Sequence, residues 1–266
     1  MPVGLPDVLS TDGRFLYMRS QRFDFEGNRF DLAPHSGNDA EQGAVQKGEG
    51  VHLFSPTGFL DGTWWHRSYW LYGRSFAEGA GGWPQAGKYA PGGRILVYDD
   101  SNVYGFGRKP LYYKWRTPLE YHLFCASRDP EVVRQPVGPR DKKGQRRQRA
   151  LHPEHEWSRS LPLLVRAMIL ADKTLFIAGP PDVVDEEEAF RRVGDAEIQR
   201  QLARQEAAMA GQEGALLWAV SAEDGKKVAE CRLDSLPVFD GMAAAGGDLY
   251  LATTNGAVSC FTGSLQ

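Results

Sequence analysis

A polar turn followed by an alternating apolar strand recurs along this chain, and that recurrence constrains the fold more than any other feature. Asp12-Gly13 precedes RFLYM, Gly92-Gly93 precedes RILVYD, Asp172-Lys173 precedes TLFIAG, and Gly246-Gly247-Asp248 precedes LYLAT. The last copy continues through Asn255-Gly256 into AVSCF, so two strands flank a turn dipeptide. Successive side chains of a strand point to opposite faces, so each copy has a face that seeks a neighbour. Recurring antiparallel hairpins predict an all-β repeat protein, most naturally a β-propeller.

The chain has 266 residues, which suits one propeller-type domain over 1–266. Its formal charge of −3 gives no general attraction to nucleic acid, so no nucleic-acid partner is expected. No run of about 18 apolar residues occurs, so no membrane-spanning helix is expected. The opening MPVGLPDVLSTDGR lacks the basic and apolar regions of a signal peptide. Cys125, Cys231 and Cys260 form no CxxC, and Cys231 and Cys260 fall in strand-like stretches. They read as buried free thiols.

Residues 5–25 read as a strand pair and 26–50 as a long polar loop. GRILVYDDSNVYGFGRK reads as a hairpin turning at Asp99–Asn102. Residues 128–160 are basic, proline-bearing and poor in aliphatics, which predicts a solvated loop. Residues 184–211 form the one strong helical stretch, with acidic residues at its start and Gly211 and Gly214 at its end. Its apolar positions Phe190, Val193, Ile198, Leu202 and Met209 make a thin stripe, as expected of an insertion on the surface.

The leading site candidate is the cluster Trp64, Trp65, His66, Arg67, Tyr69, Trp70, Tyr72 and Arg74. On a strand, Trp64, His66 and Trp70 share one face, while Trp65, Arg67 and Tyr69 share the other. Rings on both faces predict packing between sheets on at least one, and rings beside arginine suit stacking on a sugar or another planar ligand. His152-Pro-Glu-His155 is the nearest approach to a metal motif, but proline opposes a helix presenting both histidines. His52, His66 and His122 read as structural histidines within strands, Asp99-Asp100 as turn formers, and Asp185–Glu188 as a helix start. Gly79–Gly82 reads as a flexible loop, and no nucleophile elbow, phosphate loop or dinucleotide fingerprint is present, so no catalytic residue is assigned.

The stretch LLWAVSAEDGKKVAE carries Ala219, Ala222, Asp224, Gly225, Lys226 and Val228 in the spacing of a quinoprotein-type repeat. With SLPVFDGMAAAGGDLYLATTNGAVSCF after it, the chain resembles the C-terminal part of bacterial PQQ-binding-like repeat proteins, a group related in fold to the BamB assembly factor. The resemblance implies a propeller. Outside the loop and the helical insertion the chain holds about four or five blades at about 40–50 residues each, an incomplete ring. It also suggests a periplasmic or other extracytoplasmic setting, and blades completed by another chain or chain segment. In the family a docking tryptophan follows the Gly-Lys turn, where this chain has Ala229 and Glu230, and the paired cysteines of quinone-dependent dehydrogenases are absent. The expectation is therefore a non-enzymatic scaffold that presents a propeller face to a protein or glycan, with no cofactor. The alternative is a quinone-dependent oxidoreductase using PQQ with calcium, or a carbohydrate-active enzyme using the aromatic cluster.

Overall fold

The computed structural model describes residues 8–18, 21–31, 51–55, 70–73, 90–109, 121–128 and 155–262. These residues are mostly β, in five small antiparallel sheets that follow one another along the chain. The first holds β1 (Leu9–Thr11), β2 (Leu16–Met18) and β3 (Gln21–Phe23); the second holds β4 (His52–Phe54), β5 (Trp70–Gly73) and β6 (Gly92–Gly93). The third holds β7 (Ile95–Tyr98), β8 (Asn102–Arg108), β9 (Tyr121–Ser127) and β10 (His155–Arg159). The fourth holds β11 (Ala167–Ala171), β12 (Thr174–Gly179), β13 (Ala215–Ser221) and β14 (Lys227–Leu233). The fifth holds β15 (Pro237–Ala245), β16 (Asp248–Thr253) and β17 (Val258–Phe261). Within every sheet the strands pair in chain order, up and down.

Most of the turns read from the sequence are turns. Gly246 and Gly247, at φ 63° and 89°, join Ala245 to Asp248 with two residues, a geometry that a Cβ would oppose. Asp99 accepts from the backbone N–H of Ser101 and Asn102 at 2.8 and 2.7 Å, which closes the β7–β8 turn. Gly92-Gly93 is different: it forms β6, pairs with Leu71 and Trp70 of β5, and leads directly into β7. Here glycine serves close approach. A Cβ on Gly93 would lie 2.7 Å from the Phe106 carbonyl oxygen, and one on Gly107 would lie 2.8 Å from the Gly93 Cα. The basic segment also holds more structure than its composition predicts, because residues 155–159 form β10 along β9. The pattern hides that strand: only Trp157 is buried, while its neighbours face solvent.

Alternation places the sheets face to face. In the third sheet Ile95, Phe106, Leu123 and Trp157 point toward Met168, Leu175, Ile177 and Val220 of the fourth. The intervening Leu96, Val103, Phe124 and Ala126 point back toward Tyr72 of the second. The fourth sheet turns Ala167, Ala178 and Leu217 toward Leu249 and Leu251 of the fifth. The third and fourth sheets therefore have apolar packing on both faces, and each buried Leu or Ile contributes about 1.5–3 kcal/mol. First strands lie side by side, β1 by β4, β7 by β11 and β11 by β15.

Two helices occupy the interval between β12 and β13: α1 (Glu186–Arg191) and α2 (Ala196–Met209). One helical stretch becomes two because it carries two N-caps. Asp185 accepts from Glu188 N, and Asp195 accepts from Glu197 N and Ile198 N. Of the expected stripe, Ile198 packs with Val184 and Ala189 and Met209 packs against the main core, whereas Phe190, Val193 and Leu202 are exposed. Gln205 fixes α2 to the preceding loop by accepting from Val183 N at 2.7 Å and donating to Pro181 O at 3.0 Å. No described helix is long and apolar enough to cross a membrane.

Candidate functional site

In an up-and-down sheet, the start of the first strand, the end of the second and the start of the third share one end. In the third sheet that end carries Arg94, Arg108 and Tyr121; in the fourth it carries Arg166 and the α1–α2 insertion. Arg94 and Arg166 each stand immediately before the first strand of a sheet, and each donates its backbone N–H to the second strand, to Phe106 O and Ala178 O, both at 2.8 Å. Asp240 on β15 extends the row, donating its N–H to Arg166 O at 2.8 Å. The Arg94 guanidinium lies 5.4 Å from the centroid of Phe239, also on β15. Third and fifth sheets thus meet at their inner strands although the fourth separates them further out.

Burial governs the charges at this end. Arg94 is fully buried. Arg108 lies 4.7 Å from the Tyr121 ring centroid, and Tyr121 stacks on Phe106. Burial pushes the Tyr121 hydroxyl up, an effect that Arg108 and Arg94 oppose and Glu186 reinforces. Burial also lowers the Arg166 guanidinium below its usual value. Asp240 keeps solvent-accessible surface, yet the protein around it desolvates the carboxyl and raises its pKa. Arg94, Arg166 and Asp240 hold equivalent register positions on three successive first strands; Arg94 is enclosed there, while the partly exposed Arg166 and the exposed Asp240 can meet a polar group from outside.

The groups best suited to nucleophilic chemistry are tuned away from it. His122 Nδ1 lies 2.8 Å from Ser158 Oγ, the spacing of a base and a nucleophile. Burial, with His155 and Lys109, pushes the His122 pKa down to about 3. A base that weak takes a proton poorly near neutral pH. The Cys125 thiol is pushed up to about 12, first by burial and then by Glu156 and Asp99, so it stays protonated. Tyr104, donating to Asp99 Oδ2 at 3.2 Å, is likewise raised to about 12 by burial first.

Of the aromatic cluster expected to bind ligand, Trp64, Trp65, His66, Arg67, Tyr69 and Arg74 lie outside the described residues. Trp70 is on β5, half-buried, opposite Gly93, and packs between the second and third sheets. His52 is buried and stacks on Tyr17 at 3.9 Å, the structural role expected of it. His152 and Gly79–Gly82 lie outside the described residues; His155, on β10, packs against Phe124 and His122. Among the described residues no three His, Cys, Asp or Glu side chains are grouped to hold a metal ion. Cys125 is a buried free thiol as expected, but Cys231 and Cys260 are exposed, because both sit on outer strands that no described residue covers on that face.

Sequence reasoning missed Trp157, Arg94, Arg166 and Asp240. Trp157 donates its indole N–H to Ala222 O at 2.9 Å and covers Gly225, where a Cβ would come within 2.6 Å of its ring. Arg159 adds two hydrogen bonds to Asp224 O, at 3.1 and 2.8 Å. The Asp224-Gly225-Lys226 turn is therefore gripped by the fourth strand of the preceding sheet. The arginines did leave a signal, since GGRILVYD and LVRAMILAD place Arg at the same point of the repeat. Comparison with protein-family models and with curated proteins returns no match.

Proposed function

We infer that this chain is a β-propeller of quinoprotein-like repeats with an incomplete ring, and that it works as a non-enzymatic scaffold holding a protein or glycan. Three features support the propeller: meander sheets in chain order, first strands that lie side by side in pairs, and Trp157 locked on the Gly225 turn of the next sheet. The observation that carries the function is the row of charged residues Arg94, Arg166 and Asp240 at equivalent register positions of three successive first strands, of which Arg166 and Asp240 reach the surface. Repetition brings polar groups from separate sheets to one mouth, and the α1–α2 insertion leaves from the same end. The weak base His122 and the protonated thiol Cys125 favour binding over turnover. Among the described residues the mouth brings Asp240 beside arginines, which is not the acid, amide and aspartate set that a calcium-bound quinone requires.

The test is an array of neutral, uronic-acid and sulfated glycans, run alongside cross-linking of cell extract. Binding that falls at least tenfold in Arg166→Ala, with an unchanged melting temperature, is the expected result. A rise in melting temperature with PQQ and calcium, together with dye reduction by any alcohol or sugar, would overturn the non-enzymatic reading.

A further inference from the structure

Arg166 carries a charge that the described residues leave uncompensated. Its backbone is fully engaged, donating to Ala178 O and accepting from Asp240 N, both at 2.8 Å. Its side chain is not. Among the described residues the guanidinium meets no hydrogen-bond acceptor and no carboxylate, and its Nε is buried without a partner. Burial alone lowers its pKa, with no neighbouring acid working against that shift. The exposed arginines of the helical insertion differ: Arg191, Arg192, Arg200 and Arg204 each pair with a carboxylate of the chain. A guanidinium taken partly out of water costs free energy until an acceptor meets it. Arg166 is half-buried with its Nε turned inward, so its terminal nitrogens are the part that meets solvent.

Asp240, one backbone hydrogen bond away, is also unpaired and is held in an unusual conformation. It has φ 56°, the left-handed region that non-glycine residues rarely enter. Asp172, the other described non-glycine residue there, lies in the β11–β12 turn, where such a φ is common. Asp240 lies within β15, where the pairing with β16 shifts register between Pro237 and Met242. A bulge of this kind re-aims a side chain. Gly241 permits it, since a Cβ there would lie 2.9 Å from Val238 Cβ. The Asp240 carboxyl is exposed and meets no donor or cation among the described residues. The surrounding protein raises its pKa, and Arg166 does not pull it down. Backbone strain that serves no contact within the chain points to a contact outside it.

The two groups together define a complement. The terminal nitrogens of an arginine match the two oxygens of a carboxylate. A carboxylate beside them accepts a hydroxyl proton and repels a second negative charge. An acidic sugar offers a singly charged carboxylate with hydroxyls on neighbouring ring atoms. A phosphate brings close to two charges at neutral pH. An Asp or Glu side chain brings a carboxylate with no donor on the adjoining carbon. We propose that Arg166 and Asp240 bind a uronic-acid residue, Arg166 taking its carboxylate and Asp240 a ring hydroxyl. Asp240 then decides specificity, favouring one negative charge over two. This rests on the scaffold reading and names the ligand class for the surface that reading uses.

The experiment is calorimetric titration of the full chain with short oligomers of galacturonic and mannuronic acid, a hyaluronan tetrasaccharide, the methyl esters of all three, free galacturonic acid, galactose 6-phosphate and a glutamate tetrapeptide. At least one acidic oligomer should bind, and its methyl ester, which keeps the size and removes the charge, should bind at least tenfold more weakly. Free galacturonic acid separates a single sugar acid from a chain as the source. Arg166→Gln should lower acidic-oligomer binding to that of the ester and leave ester binding unchanged. Arg166→Lys keeps the charge without the planar fork and should recover only part of the loss. Asp240→Asn removes the like-charge repulsion, so galactose 6-phosphate should gain at least threefold relative to galacturonic acid. Both Arg166 variants should keep the parent melting temperature. Equal binding of acid and ester, no binding by any acidic oligomer, equal binding of the glutamate tetrapeptide, or an unchanged phosphate-to-carboxylate ratio in Asp240→Asn each overturns the proposal. Should a neutral glycan or a protein partner still be lost in Arg166→Ala, the scaffold reading stands and this one falls. Should Arg166→Ala lose no ligand of any kind, both fall.

Discussion

Two neighbouring interfaces of this molecule are built from the same repeat and end differently. Between the third and fourth sheets, Trp157 fills the outer space, donates to Ala222 O and covers Gly225. Between the fourth and fifth, the equivalent position is Ala229, the sheet is one strand short among the described residues, and a cleft remains. The inner halves of both are closed, by Leu175 and Ile177 in one and by Ala178, Leu217 and Leu251 in the other. Stacking of the repeat is thus set near the first strands. The outer strands decide whether an interface is sealed or available.

The largest expected effect breaks the sealed interface. Trp157→Ala should cost about 3–5 kcal/mol, as large-to-small core substitutions involving tryptophan do, measured by urea unfolding. Gly225→Ala pushes a Cβ into the same ring, so the double variant should lose less than the sum of the two singles. An additive result would mean that the ring and the turn are energetically independent.

Next comes acid. On its other face the third sheet buries His122, whose pKa falls from 6.5 to about 3 on folding. The unfolded chain then binds the proton more readily than the folded one. Stability should be unaffected by this group above pH 6.5 and should fall from there toward pH 3, by about 1.4 kcal/mol per pH unit at the steepest. His122→Asn should flatten that slope in urea midpoints taken between pH 7 and pH 4, while an unaltered slope assigns acid lability elsewhere.

A smaller effect seals the open interface. Ala229→Trp should stabilise by about 1 kcal/mol, the transfer gain of a ring entering a ready-made space less the strain of fitting it. Destabilisation beyond that would show that the cleft is narrower in solution. The smallest effect is at the rim of the sealed interface. Arg159→Ala removes two exposed hydrogen bonds to Asp224 O and should cost no more than about 1 kcal/mol.

The architecture was legible where a local rule decides it. Turn dipeptides located the hairpins at Asp172, Gly246 and Asn255, and Asp185 with its acidic neighbours located a helix start. The site was less legible, because it is made by distance rather than by sequence neighbours. Arg94, Arg166 and Asp240 are far apart in the chain, and only the stacking of sheets unites them. Trp157 stood in a segment whose charges and prolines read as loop, and its significance depends on Gly225, 68 positions further on. Cys231 and Cys260 were misjudged for a related reason: a strand pattern reports alternation, not whether another sheet arrives to cover a face.

The Gly92-Gly93 strand has a mechanical consequence. It belongs to the second sheet by its pairing with β5, yet passes into β7 of the third with only Arg94 between them. No slack linker separates the two layers at that point. Stretching the chain from its ends should therefore release second and third sheets together, as one force step rather than two.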